Sequence, residues 1–200
     1  MPDLPDTIVV ASSNVGKLRE IERILGDLDI RVVPQSDFGV ADAPETGTTF
    51  AENALIKAKQ ATDATGLPAI ADDSGLVVDA LDGRPGVYSA RYSGAAATDA
   101  ANIDKLLREL EDVCDEDRGA AFHCTACFLM PGSSEPLFAT GDWRGTILRE
   151  RLGEGGFGYD PVFLDTQLGK TAAQMSRAEK NARRHRGKAL AQLAQLLRSA

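Results

Sequence analysis

The chain has three cysteines and one tryptophan in 200 residues. Three thiols make no disulfide framework, and a reducing cytoplasm fits them. No apolar stretch is long enough to span a bilayer, so no membrane association is expected. Met1-Pro2-Asp3 lacks a basic region followed by an apolar run, so no signal peptide is expected either. Positive charge is scarce: 22 Lys and Arg stand against 30 Asp and Glu, giving a net charge of −8. Such a field repels polymeric nucleic acid, yet leaves room for a small phosphorylated ligand wherever cations gather locally. Repeats, low-complexity tracts and a convincing linker are also absent. What remains is 43% hydrophobic and 26% charged residues. That composition suits one domain over residues 1–200, or one domain split into two lobes around a cleft.

Thr7–Ala11 is a short β-branched strand. Leu18, Ile21, Leu25 and Leu28 then fall on one helical face within Lys17–Leu28, and Ile30–Val33 is a second strand stopped by Pro34. Strand, turn, helix and strand in that order imply an α/β sheet. Residues 35–48 form a polar loop. Thr49 and Glu52 make a capping box for a helix ended by Gly66 and Pro68. Ala69–Ala71 and Leu76–Val78 are expected to be extended on either side of a Ser-Gly turn, and Val87–Tyr92 to be extended after a Gly83–Gly86 turn. Ile103, Leu106, Leu107 and Leu110 define a third helix. Ala120–Met130 and Pro136–Thr140 form a hairpin, Pro161–Leu164 a strand, and Ser176 with Glu179 a second capping box. The final helix carries Leu190, Leu193 and Leu197 inward.

The most informative feature is Ala71-Asp72-Asp73-Ser74-Gly75. Adjacent carboxylates beside an apolar stretch repel each other and ionise reluctantly away from water. A divalent cation would relieve that penalty. In an extended segment the two side chains point to opposite faces, which argues against a shared-proton dyad. One is expected to meet a metal, and the other backbone donors or solvent. Glu45 is the candidate second ligand. A turn-initiating Asp is the ordinary reading of a lone aspartate here.

Ser12-Ser13-Asn14-Val15-Gly16-Lys17 joins the first strand to the first helix. Its hydroxyls, amide and backbone N–H groups suit an anion cradle, with Lys17 as a point charge. It is not a Walker A loop, since Ala11 and Leu18 replace the required glycine and hydroxyl residue. An ordinary N-cap with a solvated lysine reads equally well. Lys57 lies one turn beyond Asn53 on the same helix face and suits a cleft-facing role, whereas Lys59 reads as solvated.

Gly153-Glu154-Gly155-Gly156-Phe157-Gly158 matches G-x-G-x-x-G but leads into a strand, so it is no dinucleotide fingerprint. It reads as a glycine frame presenting Phe157 for stacking on a planar base, the alternative being a core phenylalanine. The C-terminal region reverses the charge with Arg177, Lys180, Arg183, Arg184, Arg186 and Lys188 beside His185. Lys180 lies near the start of the helix capped by Ser176. Arg183 and Lys188 read as solvated, and Gly187 suggests close approach of a ligand or a backbone. Cys124 and Cys127 would diverge in a strand and lack a second pair for zinc, so they read as buried small hydrophobes. Trp143 reads as packing.

Six segments occur in one order: Ser12-x-Asn14-x-x-Lys17, Thr49-Phe50-x-Glu52-Asn53-Ala54, Ala71–Leu76, Pro85-Gly86-x-Tyr88-Ser89-Ala90-Arg91, Gly155–Pro161 and His185-Arg186-Gly187. In these the chain resembles the inosine triphosphate pyrophosphatases, which remove non-canonical purine nucleotides. Ser13 and Arg184 depart from the family pattern. The resemblance implies two α/β lobes around a long twisted mixed β-sheet with flanking helices, a central cleft holding the site, and a homodimer. It implies hydrolysis of ITP, dITP or XTP to the monophosphate and pyrophosphate with Mg²⁺. Asp73 then falls at the catalytic carboxylate and Glu45 at a metal ligand. Ser12, Ser13, Asn14, Val15, Gly16, Lys17, Lys57 and Lys180 fall at triphosphate positions, and Ser74, Phe157, Gly158, Tyr159, Asp160, His185 and Arg186 at nucleoside positions. Two rivals stay open, a nucleotide pyrophosphatase of different base preference and a non-catalytic nucleotide sensor.

Overall fold

The structure is a computed structural model that describes residues 5–26 and 30–199. Met1-Pro2-Asp3 and Leu28 lie outside the described residues. Seven strands of the described residues form one sheet: β1 (Thr7–Val10), β2 (Arg31–Pro34), β3 (Ala69–Val78), β4 (Gly119–Leu129), β5 (Leu137–Ile147), β6 (Phe163–Asp165) and β7 (Lys170–Thr171). The strand order is β2-β1-β3-β4-β5-β6-β7. β1 pairs in parallel with β2 and β3, whereas β5–β6 and β6–β7 are antiparallel, so the sheet is mixed. Among the described residues five α-helices accompany it: α1 (Val15–Leu25), α2 (Phe50–Thr65), α3 (Asp99–Glu109), α4 (Arg177–Arg183) and α5 (His185–Ser199). The expected α/β class is what forms. Among the described residues no helix is long and apolar enough to cross a membrane.

The chain folds as two compact units. The first comprises residues 1–73, 124–141 and 186–200, and the second residues 74–123 and 142–185. In the first, Ile21 and Leu25 of α1 pack with Ile8 and Val10 of β1 and with Leu190, Leu193 and Leu197 of α5. Each fully buried aliphatic side chain contributes about 1.5–3 kcal/mol. Ala54, Ala58 and Ala61 of α2 form a small-residue face packed with Val9, Ala69 and Cys127. Cys124 and Cys127 are both buried, as small hydrophobes should be. The second unit is built around Leu76, Val78, Leu106, Trp143 and Phe163. Trp143 packs there and donates its indole N–H to Asp165 at 2.8 Å.

Both capping boxes form as their spacing requires, Thr49 with Glu52 and Ser176 with Glu179. Four expectations are corrected. The Ser74-Gly75 pair is no turn, since β3 runs unbroken from Ala69 to Val78 between β1 and β4, and ladder bonding overrides the local turn preference. Gly86–Arg91 is a 3₁₀ helix instead of an extended segment. Asn102 of α3 holds it by donating to the carbonyls of Ser89 and Ala90. β5 is far longer than Pro136–Thr140 suggests. Finally, the C-terminal helical region breaks at Arg184 into α4 and α5. Gly187 therefore sits in the first turn of α5, and a Cβ there would meet the Glu20 carboxylate at 3.4 Å.

Candidate active site

In the first unit the end of β1 leads into α1 through Ser12–Asn14. Asn14 is the N-cap, its Oδ1 accepting from the N–H groups of Gly16 (2.8 Å) and Lys17 (3.2 Å). Ser12 Oγ accepts from the Asn14 N–H, and Ser13 Oγ donates to Asp42 at 2.9 Å. The ordinary cap is thus what forms, and it uses N–H groups that the cradle reading had assigned to an anion. Val15 is exposed at the helix start.

β3 carries the aspartates into the interior, and its alternation sends them to different partners. Asp72 accepts from Lys17 Nζ at 3.0 Å and from Arg186 Nε at 3.0 Å. Its expected partners were backbone donors or solvent, yet side-chain cations from α1 and α5 hold it. Burial alone would raise its carboxyl, but the Lys17 charge and then that of Arg186 override burial and hold it well below the ordinary carboxylate range.

Asp73 faces the other way, toward α2. Its Oδ1 receives Lys57 Nζ at 2.8 Å, and its Oδ2 receives Asn53 Nδ2 at 3.1 Å. The same Lys57 ammonium lies 2.5 Å from Glu45 Oε1 and 3.2 Å from the Asp72 carbonyl oxygen. Lys57 resists its own burial because Asp73 and Glu45 together raise its pKa. The cation on Asp73 is that same Lys57, shared with Glu45. Burial therefore dominates at Asp73 and raises its carboxyl, opposed by Lys57 and Asn53 and reinforced by Glu45.

Two carboxylates from distant segments thus converge on one positive point. Oxygen ligands of this kind suit Mg²⁺, which is held by one or two carboxylates together with substrate phosphates and waters. The donor set fits that ion. Among the described residues no cluster of three or more His, Cys, Asp or Glu is placed to hold a metal by itself.

In the second unit the glycine loop presents Phe157 at 71% exposure, so the core alternative is excluded. Asp160 accepts from the Phe157 N–H at 2.9 Å and pairs with Lys180, whose ammonium lies 5.2 Å from the Phe157 ring centroid. Gly156 has φ +81°, and a Cβ there would overlap the Asp160 carboxylate. The Gly158 N–H donates to Asp99 at 2.6 Å, and the Tyr159 hydroxyl donates to the Ser89 carbonyl at 2.9 Å. The loop is therefore tied to the start of α3 and to the 3₁₀ helix. His185 stacks on Phe122, with ring centroids 5.4 Å apart. Ser74 is half-buried on β3. Arg183, expected to be solvated, pairs with Asp165 at 3.0 Å.

Sequence reasoning missed the role of one residue and the partners of another. Asn53 entered as a marker for the face of Lys57 and as a letter of one family segment, with no role of its own, yet it is fully buried and bonded to Asp73. Asp72 was left without cations, because Arg186 lies 114 positions away.

The mixed-sheet α/β architecture, with two carboxylates around a half-buried lysine, places the chain among α/β proteins with a charged polar site. More particularly, the chain belongs to the Ham1 family, whose model matches residues 8–196. It is 52% identical over 194 residues to the dITP/XTP pyrophosphatase of Pectobacterium atrosepticum, and 52% identical over 193 residues to that of Escherichia coli K12. Each match covers 96% of this chain and 98% of the relative. A HAM1 protein from Coxiella burnetii superimposes with TM-score 0.91 at 50% identity, covering 97% of this chain and 99% of that one. A nucleoside-triphosphatase / dITP/XTP pyrophosphatase from Mycobacterium abscessus superimposes with TM-score 0.82 at 45% identity, covering 96% and 99%.

Proposed function

We propose that the chain hydrolyses non-canonical purine nucleoside triphosphates (ITP, dITP and XTP) to the monophosphate and pyrophosphate, removing them from the nucleotide pool. The observation that carries this reading is the convergence of Glu45 and Asp73 on Lys57, 2.5 and 2.8 Å away, in a chain 52% identical to dITP/XTP pyrophosphatases. Glu45 and Asp73 would hold Mg²⁺, which when bound neutralises charge on the phosphates. Asp73, buried and with its carboxyl raised, orients the attacking water and accepts its proton. Lys17, Lys57 and Lys180 stabilise charge that grows on the departing pyrophosphate, and Ser12, Ser13, Asn14, Val15 and Gly16 bound the phosphate end.

For the nucleoside, Phe157 offers an exposed face for stacking, worth about 1–3 kcal/mol for a base on an aromatic ring. Ser74, Gly158, Tyr159 and Asp160 frame the sugar and base. His185 and Arg186 supply N–H donors for a six-position oxygen. Adenine carries an amino group there and would leave such donors unpaired, a mismatch that discriminates strongly. The net charge of −8 disfavours polymeric nucleic acid as substrate. A homodimer in the cytoplasm completes the reading, and sedimentation of the purified chain tests the dimer.

The test is incubation with ITP, XTP, dITP, ATP, GTP and dTTP, with and without Mg²⁺, scoring pyrophosphate against orthophosphate. Pyrophosphate from the first three is expected. Orthophosphate alone would refute attack at the α-phosphorus. Preference for dTTP would favour a different base specificity, and no turnover would favour a sensor. Asp73→Asn should abolish turnover and leave the circular dichroism spectrum intact, and near-normal rates in that variant would remove Asp73 from its role.

A further inference from the structure

Asn53 is fully buried, and both its amide oxygen and its amide nitrogen are hydrogen-bonded. Its Oδ1 accepts from the Gly47 N–H at 2.8 Å, two residues after Glu45. Its Nδ2 donates to Asp73 Oδ2 at 3.1 Å. That bond fixes the rotation of the Asp73 carboxylate, so that the other oxygen, Oδ1, is the one turned to Lys57. Gly47 lies flush on this amide. A Cβ there would stand 2.8 Å from Asn53 Oδ1 and 2.7 Å from Glu52 Cβ, although its φ is outside the left-handed region. Glu52 stitches the following residues down by accepting from the N–H groups of Thr48 and Thr49.

We infer that Asn53 is a positioning residue that sets where Glu45 stands relative to Asp73. Lys57 joins the two carboxylates by charge, whereas Asn53 ties the backbone of the loop that carries Glu45 to Asp73 itself. Only an amide satisfies both ends. A carboxylate would repel Asp73, and an aliphatic side chain would strand the Gly47 N–H and one Asp73 oxygen. The inference rests on the reading of Glu45 and Asp73 as the Mg²⁺ ligands. Groups that orient metal ligands typically change metal affinity by about 10–100-fold when removed.

The experiment uses the full chain with Asn53→Ala and compares it with the wild type. The first readout is the Mg²⁺ concentration that gives half the maximal thermal shift, measured with Mg²⁺ alone and without turnover. The second is kcat and KM for ITP at saturating Mg²⁺. The inference expects a midpoint raised about 10-fold or more, with kcat falling while KM changes little. A lowered melting temperature with an unmoved Mg²⁺ midpoint and unmoved kcat would assign Asn53 a merely structural role and overturn it. Gly47→Ala keeps Asn53 and displaces the loop, so it serves if Asn53→Ala does not fold. A raised midpoint is expected there too, and an unchanged one overturns the inference. Wild-type chain that binds Mg²⁺ but turns over no nucleotide would sink the proposed reaction and leave the positioning result readable. Wild-type chain with no Mg²⁺-dependent shift would sink both.

Discussion

Replacing Asp72 by Asn is the sharpest perturbation the first unit offers. The wild-type carboxylate is 3% exposed and holds two cations, Lys17 and Arg186, each at 3.0 Å. Removing one member of a buried ion set costs about 3–5 kcal/mol, because the partners keep their charge and lose its compensation. Here the Lys17 and Arg186 side chains retain 20% and 16% exposure, so some hydration survives. The expected loss is therefore at the lower end, about 3 kcal/mol, a large share of the 5–15 kcal/mol typical of a domain. The pH dependence has a definite sign. The folded carboxyl is held below its unfolded value, which is near 3.9. Its stabilisation is complete above that pH and is lost as pH falls toward the folded value. Urea unfolding of both proteins at pH 7 and pH 3 measures this. The wild-type lead should narrow by about 1 kcal/mol at pH 3. A loss below 1 kcal/mol at pH 7, or a lead that widens on acidification, would refute the argument.

Two further outcomes follow from the same geometry. Lys57→Met leaves Glu45 and Asp73 facing each other without the ammonium they share, so the melting temperature without divalent ions should fall by roughly 5–10 °C and recover in part with Mg²⁺; an unmoved melting temperature refutes this. Phe157→Ala removes a side chain that is 71% exposed. Stability should stay within about 0.5 kcal/mol, while KM for ITP rises about tenfold from lost stacking; an unchanged KM would show that the ring does not meet the base.

Legibility of the chain tracks sequence distance. Both capping boxes are readable because their bonds join residues three positions apart. α3 is readable because Ile103, Leu106 and Leu110 repeat at helical spacing and are all buried. Ser74-Gly75 misleads because the same letters that favour a turn also tolerate a ladder, and flanking strands decide between them. The 3₁₀ helix at Gly86–Arg91 is hidden for a similar reason, since its bonding partner Asn102 lies on α3. At the site, strand alternation correctly sends Asp72 and Asp73 apart. It does not say which cations await each side chain. Glu45 is a candidate partner for the aspartates from its place in the polar loop, and the family resemblance singles out Asp73, because no local pattern links a loop residue to a strand 28 positions on. The exposure of Phe157 was readable from the glycines around it, and Asp160 shows why one of them, Gly156, admits no side chain.

The paired charges bear on how an acidic protein can take a polyanion at all. In the first unit Lys17 and Arg186 face Asp72, and Lys57 faces Glu45 and Asp73. In the second, Lys180 faces Asp160. Each of these cations, assigned by the proposed reaction to phosphate or base, already has a carboxylate beside it. A phosphate oxygen must therefore compete with an anion in place, which penalises weakly binding anions. The penalty is greatest at Lys57, because drawing it toward phosphate leaves two carboxylates, Glu45 and the buried Asp73, without the cation they share. A nucleotide that arrives with its own divalent cation replaces the lost charge at that point. On the proposed reading, metal and nucleotide binding are thus two halves of one exchange at Lys57, and linkage requires each to strengthen the other by the same factor.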